Sequence, residues 1–124
     1  MTPAQRVCLA VWMFAFAVGT TTHTLDVVAN GWSPYPAVPL EIGLFWKALT
    51  ILDPLAVLLL WKRRCWGLAL GLAIMIVDVL VNSYVSSGLT APGLGFALQL
   101  QTLFLGFVLG SIAFLCRGGG GQTA

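Results

Sequence analysis

Four apolar runs, each long enough to cross a bilayer, dominate this chain and leave room for few other architectures. They cover about 7–28, 39–61, 66–85 and 95–116. A helix needs about 20 apolar residues to span a hydrocarbon core of about 30 Å. In hydrocarbon every backbone N–H and C=O must be bonded within its own segment, so each run is predicted to be a helix. The composition agrees, with 8% of the 124 residues charged and 59% hydrophobic; a soluble domain carries about 25% charged residues. The expected fold is all-α: a polytopic membrane protein forming a single four-helix transmembrane bundle over 1–117, followed by a flexible Gly-rich tail over 118–124. Arg6 and the small residues Ala15 and Ala17 give the first run some features of a signal peptide. The run continues past Gly19 towards Val28, so it is read as an uncleaved first helix.

The connections set the topology. "NGWSPYPAVPLE" at 30–41 contains three prolines that exclude helix until Pro39, which suits a first helical position. Glu41 then falls at the positive end of the helix dipole. "KRR" at 62–64 leaves only a tight turn, which makes the second and third helices an antiparallel hairpin. "SSGLTAPG" at 86–93 is a turn-rich connection. Arg6, Lys62, Arg63, Arg64 and Arg117 all fall at ends that four alternating spans bring to one side. By the excess of Lys and Arg in cytoplasmic loops, both termini are expected to be cytoplasmic. Trp32 and Tyr35 fit an outer aromatic belt, and Trp61 and Trp66 an inner one. With no lipidation or retention signal in view, a bacterial inner membrane is the expected location.

Two GxxxG patterns, Gly67/Gly71 and Gly106/Gly110, allow close helix approach. They are read first as packing within the bundle, with homodimerisation through either face as the alternative.

The polar residues converge in depth. At a rise of about 1.5 Å per residue, Lys47 and Asp78 each lie about 10 Å below the outer boundary. His23 lies about 7–8 Å down, and Gln99 and Gln101 about 6–9 Å. Gly19, His23, Asp26 and Asn30 form one stripe, and Asp78, Asn82 and Ser86 another. Polar stripes at such depth point to a water-accessible, outward-opening pocket, with Lys47 and Asp78 expected as an ion pair. Asp53 lies about 20 Å down, alone at its depth and just ahead of Pro54, where a kink is expected. Trp46, Thr50 and Asp53 share a face, which makes Asp53 the floor of the pocket. Without a charge partner it is expected to be a neutral acid, because desolvation disfavours the carboxylate. The candidate pocket is therefore His23, Asp26, Trp46, Lys47, Thr50, Asp53, Asp78, Asn82, Gln99 and Gln101.

Several chemistries are not indicated. A lone histidine without an HxxxH pair does not make a metal site. Cys8, Cys65 and Cys116 form no CxxC motif and read as reduced, small apolar residues. No phosphate loop, GxSxG or HExxH occurs, and a net charge of +2 does not imply nucleic acid. No metal and no cofactor are expected. The expected partners are the lipid bilayer and a small hydrophobic or amphiphilic ligand held in the pocket. The alternatives are a structural or assembly subunit whose buried charges serve packing alone, and an enzyme on a lipid-soluble substrate with His23 and Asp26 or Asp53 as acid and base.

Over 41–84, "LDPLAVLLLW" and "IMIVDVLVNSY", with "HTLD" ahead of the outward loop, resemble the EXPERA family of emopamil-binding sterol isomerases and sigma-2 receptor-like proteins. The resemblance implies a four-helix bundle with an acidic, aromatic-lined cavity for sterol-like or cationic amphiphilic molecules. His23, Asp26, Asp53 and Asp78 are the matching positions. The chain differs from the family in its shorter first loop and in Lys47, whose charge opposes cation binding.

Overall fold

The structure, a computed structural model, describes residues 1–88 and 94–117. The expected tail at 118–124 and most of the turn at 86–93 lie outside the described residues. Among the described residues there are four helices, α1 (Pro3–Asn30), α2 (Leu40–Lys62), α3 (Arg64–Gly88) and α4 (Leu94–Arg117). All four are long and apolar enough to cross a membrane.

Local chemistry sets the helix ends. Thr2 and Gln5 form a reciprocal capping box around Pro3, so α1 begins several residues ahead of the apolar run. Gly31, at φ 81°, ends it by donating its N–H to the Val27 carbonyl at 2.9 Å. Glu41 in the first turn and Lys62 in the last complement the dipole of α2. That helix runs unbroken across Pro54. Three of the four threonines of α1 turn their hydroxyls onto their own helix: Thr20, Thr21 and Thr22 donate to the carbonyls of Phe16, Ala17 and Gly19, each at 2.9 Å. Such back-bonding lets a polar side chain face hydrocarbon without an unmet donor.

Each helix packs on the next and α1 closes the ring against α4, the most sparsely packed pair. Arg63 alone separates α2 from α3. So short a link forces the two backbones together at Gly67, where a methyl group would come within 2.6 Å of Leu60 Cα. One turn on, a methyl at Gly71 would press within about 3.0 Å on the Trp12 and Phe16 rings of α1. The first GxxxG pattern is thus consumed inside the bundle. At Gly106 and Gly110 a methyl would meet nothing within 4 Å.

Towards the end where the basic residues gather, Trp12, Leu60, Leu68 and Leu115 are fully buried. Trp12 is completely buried and packs against Phe16 in a tilted and Phe104 in an edge-on arrangement, at centroid separations of 6.5 and 6.4 Å. Its indole N–H donates to Ser111 Oγ at 2.9 Å, and Ser111 donates in turn to the Phe107 carbonyl at 2.7 Å. Gln5 Nε2 donates to the Phe114 carbonyl at 2.8 Å, tying the start of α1 to the end of α4. The exterior is equally apolar: Phe14, Ile51 and Leu103 are all more than 70% exposed. A monomer in water does not display apolar residues around its whole girth, so this exterior fits a multi-pass membrane protein.

The two glycine patterns should respond oppositely to alanine. Gly67→Ala is expected to destabilise the bundle by about 1–3 kcal/mol through overpacking. Gly106→Ala should be neutral or gain up to about 1 kcal/mol of helix propensity. Thermal unfolding in detergent, followed by circular dichroism, reads both.

Candidate functional site

At the end of the bundle away from the basic residues, the carboxamide of Asn82 on α3 joins three helices. Trp46 Nε1 of α2 donates to Asn82 Oδ1 at 2.9 Å. Asn82 Nδ2 donates both of its protons, to Asp78 Oδ1 at 3.1 Å and to Gln101 Oε1 of α4 at 2.6 Å. Asp78 and Asn82 are both buried, and buried amides are tolerated when their donors are filled, as here.

A second cluster hangs on the loop at 31–39. The Tyr35 ring meets the Trp46 ring edge-on at 4.9 Å. Its hydroxyl donates to Asp26 Oδ2 at 2.7 Å. A phenol has one proton, and Asp26 takes it. His23 Nδ1, 3.4 Å from the same oxygen, can therefore meet it only as a donor. Neutral His23 accordingly keeps an unprotonated Nε2. Burial, reinforced by the hydrogen bond to Asp26 and by that group's charge, pushes the Tyr35 phenol above its ordinary 10.0. Tyr35 thus stays a donor at neutral pH.

Between these clusters and the core lies a cavity of about 440 Å³, within the about 300–1,000 Å³ of ligand pockets. Its walls are largely apolar, formed by Phe16, Phe104, Ile74 and Met75, with the Phe16 and Phe104 rings meeting edge-on at 5.7 Å. His23, Asp53, Asp78 and Gln101 supply the polar lining. Phe14 and Val18 of α1 and Leu100 of α4 line it and are also exposed, so the mouth opens sideways at the α1–α4 seam.

Of the ten residues expected in the pocket, four line this cavity: His23, Asp53, Asp78 and Gln101. Asp26 is two hydrogen bonds removed, linked through the Tyr35 hydroxyl to His23. Trp46 and Asn82 stand behind the lining and position Asp78 and Gln101. Thr50 does not reach the cavity; its Oγ1 is buried without a hydrogen-bond partner among the described residues. Gln99 is exposed on the outer face of α4, because two residues along a helix turn a side chain well away from Gln101.

Two expectations about charge are corrected. Lys47 and Asp78 do not pair: the lysine ammonium lies over the Trp32 ring at 5.4 Å, while Asp78 is bonded to Asn82. Matching depth does not give matching direction, and the flexible lysine stem runs back towards the interface. Asp53 is also not alone, since it shares the cavity with Asp78 and His23. Its carboxyl lies directly against Gly19 of α1, where a methyl would collide with it. Tyr35 is the participant the sequence did not mark; a tyrosine between two prolines of a loop reads equally well as an interface anchor. Comparison with protein-family models, curated proteins and solved structures finds no match.

The Tyr35 arrangement has two spectroscopic consequences. With Tyr84→Phe leaving Tyr35 as the sole tyrosine, tyrosinate absorbance should emerge only well above pH 10.0, and Asp26→Asn should lower that onset. The raised folded-state value means that stability is fully held below pH 10.0 and is lost as pH rises from there towards the folded-state value. Imidazole nitrogen NMR should find His23 protonated on Nδ1 when neutral, and Tyr35→Phe should release that preference.

Proposed function

We propose that this chain is a multi-pass integral membrane protein with cytoplasmic termini, and that its α1–α4 cavity binds a small hydrophobic or amphiphilic molecule drawn from the bilayer. The carrying observation is the cavity itself, an apolar chamber of about 440 Å³ that reaches both Asp53 and Asp78. Ionisable side chains at membrane depth are costly and are associated with ligand, ion or proton pathways. An apolar pocket with a few convergent polar groups is the common form of a small-molecule site. Carboxyls and an imidazole Nε2 accept hydrogen bonds, so the favoured ligand has a hydrocarbon body and a donor group at one end. The sideways mouth supports access from the bilayer interior. The EXPERA-like resemblance fits this reading, because three of its four matching positions, His23, Asp53 and Asp78, line the cavity.

A second reading has its own support. Asn82 bonds side chains of three helices at once, which is what a structural or assembly subunit would need from its buried polar groups. The two readings separate at Ala97, which lines the cavity and takes no part in the Asn82 network. The full chain purified in mild detergent is expected to carry a molecule detectable by native mass spectrometry. Ala97→Trp should displace that molecule while leaving the helical circular dichroism unchanged. An identical adduct in the variant, or none in the wild type, would remove the binding reading and favour the structural one. For the orientation, an impermeant thiol reagent outside intact cells should leave Cys65, exposed at the basic end, unlabelled; labelling would reverse the topology.

A further inference from the structure

A second recess, of about 260 Å³, lies under the loop at 31–39 and is distinct from the α1–α4 cavity. Lys47 forms one wall, beside Ser33, Pro36 and Val38, and Leu40 and Leu44 lead away from it along α2. The ammonium here is a half-buried cation without a carboxylate partner among the described residues. The chain has four carboxylate side chains, and each is placed elsewhere. Asp26 is bonded to Tyr35, Asp78 to Asn82, and Asp53 lies against Gly19. Glu41 lines a separate recess facing Leu80 and Tyr84 of α3. Trp32 covers one side of the ammonium at 5.4 Å. An aromatic face attracts the cation without filling its three N–H donors.

We propose that this recess binds an anionic bilayer lipid, with the headgroup phosphate on Lys47 and one acyl chain along the outer face of α2. Three observations converge on that occupant. The first is charge: an uncompensated lysine and the Ser33 hydroxyl suit a phosphate oxygen. The second is level. Lys47 lies about 10 Å along α2 from its start, but its side chain returns to Trp32 in the loop, which brings the ammonium to headgroup height. The third is the track below. Leu40, Leu44, Lys47, Ile51 and Leu55 follow 4-3-4-4 spacing, so they share one face of α2. The four apolar members are all at least 40% exposed, and Ile51 reaches 72%. A free phosphate ion has no use for such a stripe, whereas an acyl chain does. The site rests on the chain lying in a bilayer and is independent of what occupies the α1–α4 cavity.

The test is native mass spectrometry of the full chain in mild detergent, titrated in turn with phosphatidylglycerol, phosphatidylcholine and inorganic phosphate. Phosphatidylglycerol should be retained at least about fivefold better than phosphatidylcholine, as one basic residue near a lipid surface provides. Lys47→Leu should abolish the preference and Lys47→Arg preserve it, with circular dichroism confirming the helical fold of each. Equal retention of the two lipids by the wild type overturns the proposal, and that arm needs no variant to fold. Retained preference in a folded Lys47→Leu protein overturns it as well. Displacement of phosphatidylglycerol by equimolar inorganic phosphate would replace the lipid with a simple anion and sink the assignment.

Discussion

The carboxamide of Asn82 is the point on which the polar half of this bundle depends. Its oxygen takes the indole N–H of Trp46, and its two N–H groups go to Asp78 and Gln101. Lipid gives helices no hydrophobic reason to associate, so directional bonds and close packing must hold them together. By orienting Trp46, Asn82 also fixes the ring against which Tyr35 rests, and Tyr35 in turn connects Asp26 with His23. By holding Asp78 and Gln101, it sets two of the polar groups that line the cavity. One buried amide thus connects the loop, three helices and the site.

The opposite half is held by shape. Gly67 lets α3 lie against the end of α2, and Gly71 admits the Trp12 and Phe16 rings of α1 across the bundle. Bonds from Gln5 and Trp12 fasten α1 to α4 at this end. Towards the other end no hydrogen bond joins the two helices among the described residues, and the cavity occupies the seam between them. Tight closure at one end and separation at the other make a bundle that is sealed below and open at the side. In this arrangement Asp53 marks the boundary: it touches Gly19 on α1 and lines the cavity alongside Asp78.

Much of the fold was legible in the chain, because the signals are local. Apolar length, prolines at 34–39 and the three basic residues at 62–64 each act within a few residues of where they stand, whereas the Thr2–Gln5 capping box that starts α1 ahead of the apolar run came from the structure. The site was only half legible. Depth follows from counting residues, so His23, Asp78 and Gln101, which line one cavity, fall in one layer by sequence. The same count leaves Asp53 alone, although it lines that cavity too. Direction does not follow from counting, which is why Lys47 was paired with Asp78 and Gln99 placed beside Gln101. Tyr35 was read as an anchor because a loop's sequence carries no periodicity from which to judge whether a side chain turns in or out.

What the sequence determined by itself is an all-helical chain with four segments of spanning length, short links between them, and polar residues gathered towards one end. Backbone hydrogen bonding and apolar length dictate these features, and both are properties of segments. The tertiary structure alone decided which polar residues meet. It gave Asn82 three partners, turned Lys47 to Trp32, set Asp53 against Gly19, and left the α1–α4 seam open. Those outcomes depend on helix rotation and on how closely glycines allow neighbours to approach, and rotation is fixed only when all four helices pack together.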